Sequence, residues 1–145
     1  MFIGKCSLPV SDASQFSLPS SYQDALGGTA FLTQGFDQNL LLMPQSAFEA
    51  LYSKVRSTSI SDPMARLLSR LFLGGASELA VDKSGSIELP SNLCKYAGIG
   101  KEMILVGQGE YLELWSPENW QAQVDRLNDF DANTHQFEKF DISLT

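Results

Sequence analysis

The sequence is poor in the residues that most metal-binding and catalytic sites require. His135 is the single histidine among 145 residues, so no pair of histidines can hold a metal, and it reads as a surface residue. The two cysteines, Cys6 and Cys94, form no close motif. That argues against a disulfide framework and for a reducing cytoplasm, and neither thiol has a base beside it in sequence to make it a nucleophile. No apolar run approaches the ~20 residues of a membrane helix. Met1-Phe2-Ile3-Gly4-Lys5 lacks the apolar core of a secretory signal. Cations are scarce as well: 10 Lys and Arg stand against 17 Asp and Glu, for a net charge of −7. None of the basic residues lies between positions 6 and 53, so the first third of the chain offers a phosphate only Lys5 and the terminal amine.

What is present is a globular composition. Apolar residues make up 43% and charged residues 19%, which suits one compact domain or two small ones sharing a core. The chain also repeats itself. At an offset of 71, Leu18-Pro19-Ser20 matches Leu89-Pro90-Ser91, and Gly27 matches Gly98. The match then resumes at an offset of 72. Phe31 to Gly35 lies over Met103 to Gly107, Leu40 and Leu42 over Leu112 and Leu114, and Phe48 over Trp120. Two copies are too few for a solenoid and suit two half-domains that complete one another.

Each copy has the same local grammar. A short strand ends at Leu-Pro-Ser, where Ser20 or Ser91 is placed to cap a short helix. Gly27 or Gly98 stops that helix. A hairpin follows; in the second copy it turns through Gly107-Gln108-Gly109. That glycine pair joins two strands and lacks the helix and lysine of a phosphate loop. An amphipathic helix closes each copy, with Pro44 and Pro117 near its start. Phe48, Leu51, Tyr52 and Val55 mark the first such helix, and Trp120, Val124 and Leu127 the second. Trp115 and Trp120 read as core. A further helix begins near Ser61-Asp62-Pro63 and ends at Gly74-Gly75. It carries Met64, Leu67, Leu68, Leu71 and Phe72 as one stripe to be buried. Asp129 to Thr145 has weak periodicity and reads as a loosely packed tail, or one that lies on a neighbouring subunit. The chain thus divides into repeat 1 (5–47), a helical connection (48–75), repeat 2 (76–119) and a C-terminal helix and tail (120–145).

Several segments together resemble the MraZ family: Met1-Phe2-x-Gly4, Gln34-Gly35-Phe36-Asp37-x-x-Leu40, Val81-Asp82-Lys83-Ser84-Gly85-Ser86-Ile87-x-Leu89-Pro90, Tyr96-Ala97-Gly98-Ile99-x-Lys101-Glu102, and Val106-Gly107-Gln108-Gly109-x-Tyr111-x-Glu113-Leu114-Trp115. The likeness runs from about residue 1 to 125 and is most specific in the second copy. It implies a mostly β, α+β fold: two AbrB-like repeats forming a pseudo-symmetric β-barrel-like core with flanking helices. It further implies a ring-like homo-oligomer that binds direct repeats upstream of the division and cell-wall gene cluster, in the cytoplasm and at the nucleoid where DNA is bound. No cofactor, metal or catalytic constellation is expected, so the chain does not read as an enzyme.

The family's DNA signature is Asp-x-x-x-Arg in the loop before each Leu-Pro strand, where arginine can contact phosphates and read guanine with two hydrogen bonds. Asp82, Lys83 and Gly85 match it, and these three are the candidate DNA-binding residues. Ser86 stands where arginine is expected. In the first copy Ser11 takes the aspartate position, Gln15 the arginine position and Ala13 the usual lysine, with Asp12 one residue out of register. Gln23, Gln34 and Cys94 also replace family arginines. The bland reading of 82–85 is an ordinary polar turn, and Lys95 and Lys101 read as solvated surface charges. Two functions follow: a DNA-binding regulator with weakened or altered recognition, or a degenerate homologue that acts as an oligomeric assembly protein and no longer binds DNA.

Overall fold

A computed structural model of the chain describes residues 1–142; positions 143–145 of the expected tail lie outside the described residues. The first copy contains strands β1 (Lys5–Pro9) and β2 (Gln15–Ser17), helix α1 (Ser20–Leu26), the hairpin β3 (Thr29–Gln34) and β4 (Leu40–Pro44), and helix α2 (Gln45–Arg56). After α3 (Pro63–Phe72) the same series returns. It runs β5 (Ser77–Ala80), β6 (Ser86–Glu88), α4 (Ser91–Ala97), β7 (Glu102–Gly107), β8 (Leu112–Trp115) and α5 (Pro117–Leu127). Helix α6 (Phe130–Phe137) and a 3-10 turn (Glu138–Phe140) complete the described chain. The expected α+β architecture of two equivalent halves is what the structure has.

The halves are joined by a pseudo-twofold relation written in the strand registers. Six strands form one antiparallel sheet in the order β1-β7-β8-β4-β3-β5, and β2 pairs β6 in a separate antiparallel ribbon. Each copy therefore gives its first strand to the hairpin of the other. In the ribbon Phe16 lies opposite Ile87; at the sheet centre Leu41 lies opposite Glu113. Both are pairs of equivalent residues, at offsets of 71 and 72, so the pseudo-axis passes between them.

Alternation of apolar and polar side chains decides which face each strand buries. Phe16 and Ile87 point inward while Gln15, Ser17 and Glu88 point out. Leu32, Leu40, Leu42, Leu112 and Leu114 are fully buried between the sheet and the short helices. Hydrogen bonds from side chains also tie one copy to the other. Tyr96 Oη donates to the Gly35 carbonyl at 2.6 Å, and Asn39 Nδ2 donates to the Glu113 carboxylate at 3.1 Å.

Some local expectations are corrected. Ser20 and Ser91 do not cap their helices: Pro19 and Pro90 occupy the cap positions, and the serines are the first helical residues. The extended ψ of each proline, 141° and 139°, already turns the chain into the helix. The helix ends do fall at Gly27 and Gly98, both at positive φ. Asp62 caps α3, accepting from the Met64 amide at 2.9 Å. However, α3 buries Phe72 and half-buries Leu68 and Leu71, while Met64 and Leu67 stay 67% and 55% exposed. The tail forms α6, with Asp129 accepting from the Ala132 amide at its start, and the side chains of that helix are nearly all exposed. Both cysteines are free and half-buried.

Candidate nucleic-acid interface

The two loops named by the sequence signature lie at the two ends of the β2–β6 ribbon. In the second copy Asp82 organises the turn. Its Oδ1 accepts from the Ser84 amide at 2.9 Å, the Ser84 hydroxyl at 2.6 Å and the Ser86 amide at 2.9 Å. The Gly85 amide closes the turn on the Asp82 carbonyl at 3.0 Å. These donors favour the ionised form, the Ser84 hydroxyl first, and hold the carboxyl below the usual aspartate range. Gly85 has a φ of +78°, and a Cβ there would sit 2.4 Å from Gln23 Nε2.

The first-copy loop has the same geometry with weaker groups. Ser11 Oγ accepts from the Gln15 amide at 3.1 Å, as Asp82 accepts from Ser86. The Ser14 amide donates to the Ser11 carbonyl at 2.9 Å, and Ser14 takes the left-handed conformation at a φ of 60° where the other copy has glycine. The loops also brace each other's strands: the Leu18 amide donates to Gly85 at 2.9 Å, and the Leu89 amide to Ser14 at 2.8 Å. Helices support both. Gln23 Nε2 donates to the Leu18 carbonyl at 2.9 Å beside Gly85. At the counterpart position burial pushes the Cys94 thiol up, and the neighbouring Ser14 side chain opposes that shift.

The outer face of the ribbon is therefore a stage of Gln15, Ser17, Ser86 and Glu88, flanked by two turns. Asp82 and Lys83 are exposed at one end and Asp12 at the other; Gly85 is buried beneath the turn. Lys101 stands at the first-copy end, where its carbonyl accepts from the Val10 amide at 2.9 Å. Lys95 is exposed on α4 beside Cys94. Glu88 sits directly across from Gln15. Lys83 and Lys101 are thus set among three carboxylates, Asp12, Asp82 and Glu88, so the bare electrostatics of this face do not favour phosphate. Ser11 and Gln23 stand at positions the resemblance marks, whereas Ser14 carries no such mark. The match of Ser14 to Gly85 at an offset of 71 is the signal that places it.

Comparison with known proteins decides the family. Residues 72–142 match the family model described as "MraZ protein, putative antitoxin-like". The chain is 40% identical over 127 residues to a transcriptional regulator MraZ of Thermomicrobium roseum, covering 88% of this chain and 89% of that protein. A protein of the same name from Herpetosiphon aurantiacus is 38% identical, over 89% and 90% of the two chains. Another, from Clostridium tetani, is 31% identical over 98% of this chain and its own full length. The chain belongs to the MraZ family. As an MraZ member it presents the two loops in matching conformations, with Gln15 and Ser86 at equivalent positions of the two turns.

Proposed function

We propose that this protein is a DNA-binding transcriptional regulator of the MraZ type, acting in the cytoplasm as a ring-like homo-oligomer upstream of the division and cell-wall gene cluster. The supporting observation is the pseudo-symmetric face itself, which sets both signature loops on one ribbon in a protein whose relatives are named transcriptional regulators. In this reading Asp82 and Gly85 shape the second-copy turn, and Lys83 reaches phosphate from it. Lys101 serves the first-copy end, while Gln15 and Ser86 offer neutral donors to bases or phosphates. A neutral hydrogen bond is roughly half as strong as a charge-assisted one. Affinity per subunit is therefore low, and repeated contacts around an assembly raise it through effective concentration. No step of this role needs a cofactor, a metal or catalysis.

The test is a titration of the full chain against the DNA upstream of its own gene at ~50 and ~200 mM salt. Binding should weaken with salt at a shallow slope, about −2 per engaged subunit if Lys83 and Lys101 each neutralise one phosphate. An assembled protein that shifts no DNA even at low salt would overturn the DNA contact and leave the assembly role.

A further inference from the structure

Two surfaces outside the ribbon carry opposite charge and unsatisfied apolar area. The first is the α2–α3 hairpin. Residues 54–70 hold Lys54, Arg56, Arg66 and Arg70 against a single acid, Asp62, a net of +3. Arg56, Arg66 and Arg70 line a groove of about 220 Å³ with Thr58 and Ser69, and no carboxylate lines it. Beside the arginines, Met64 and Leu67, three residues apart on α3, are 67% and 55% exposed, and Ile60 in the turn before the helix is 83% exposed. The second surface is the tail. Residues 129–142 hold Asp129, Asp131, Glu138 and Asp141 against Lys139, a net of −3. Phe130 and Phe137, seven residues apart, share one face of α6 and are 71% and 56% exposed; Phe140 and Ile142, beyond the helix, are exposed as well. Among the described residues α6 packs chiefly on α5 and the following 3-10 turn.

We infer that the C-terminal α6 segment of one copy docks on the α2–α3 hairpin of another. The aromatic face would cover the Met64–Leu67 stripe, and the tail carboxylates would meet the arginine groove. A polyanion would satisfy the arginines but leave the apolar stripe in water, whereas the tail satisfies both. Contiguous exposed apolar area of this kind marks an interaction surface. The two patches differ and every copy carries both, so the contact is head-to-tail, the type that closes into rings. The inference rests on the self-association in the reading above and not on its DNA contact.

Solution mass of the full chain and of two variants tests it. Wild type should be assembled. Phe130→Glu/Phe137→Glu and Arg66→Glu/Arg70→Glu alter exposed residues and should keep the wild-type circular dichroism and melting transition, yet each should fall to the mass of one chain. Mixed together they should form a dimer and stop there, because the mixture retains one good tail and one good hairpin. A monomeric wild type would overturn the inference, as would variants that keep the wild-type mass or a mixture that stays monomeric. Loss of DNA binding by the arginine variant with its assembly intact would overturn it too, and would assign the groove to phosphate. DNA titration of the same samples is read against their mass: weaker binding by a variant that has fallen to one chain follows from lost multivalency and does not count against the DNA reading.

Discussion

Asp82 and Ser11 occupy the same corner of two equivalent turns, and the difference between them is a charge. The Asp82 carboxylate accepts from Ser84 and Ser86, whereas Ser11 offers one hydroxyl to Gln15. Because those donors favour the anion, the folded carboxyl titrates below its unfolded value. Its contribution to the turn is present above the unfolded pKa and is lost as pH falls through the lower, folded one. The Ser84 and Ser86 amide resonances should therefore hold their positions to a pH below about 3.9, the ordinary aspartate value, and then move together. The Gln15 amide, bonded to a hydroxyl, should show no such step. A midpoint at the ordinary value would mean the Asp82 cap is not formed in solution. The turn chemistry of Asp82 and Gly85 was legible in the sequence because aspartate and glycine fill such corners for backbone reasons. Ser14 at positive φ was not, since serine pays more than glycine for that conformation and is rarely its marker.

At the scale of elements, the β2–β6 ribbon buries a single pair of side chains. Phe16 and Ile87 lie opposite each other, 3% and 1% exposed, on strands of only three residues. Truncating either to alanine removes core contacts and leaves a cavity. Phe16→Ala should cost about 3–5 kcal/mol and Ile87→Ala about 2–5 kcal/mol, read as chemical denaturation midpoints. Losses under about 1 kcal/mol would show that the ribbon is not part of the core. The strands and helices around the ribbon were readable from the Leu-Pro-Ser match, the paired glycines and the two offsets. The exchange of β1 and β5 between halves was not, because periodicity reports that a strand has an apolar face but not which strand lies beside it. Helix α3 shows the same limit. Its apolar spacing was visible, yet spacing does not say what covers Met64 and Leu67.

At the scale of the whole molecule, a net charge of −7 and the proposed DNA contact pull in opposite directions. The pseudo-twofold fold resolves where the conflict is felt. It brings the two loops to one ribbon face, and that face holds Asp82 beside Lys83 at one end and Asp12 and Glu88 at the other. Among the described residues no helix is long and apolar enough to cross a membrane. The family was legible in sequence because its segments recur across most of the chain. The proposed contact surface was legible only as a set of positions, since Gln15 and Ser86 stand where the resemblance calls for arginine.

The central claim is that this ribbon face, with its two loops, is the surface that meets DNA. The most direct measurement is the DNA affinity of Gln15→Arg/Ser86→Arg as a function of salt, compared with a control carrying Gln45→Arg/Gln121→Arg on the closing helices. If the face meets DNA, the ribbon variant should bind more tightly than wild type, and its slope should steepen by about 2 per engaged subunit, near 0.9 for each added phosphate contact. The control should change far less. Equal gains in both variants, or no gain in a folded and assembled ribbon variant, would contradict the assignment.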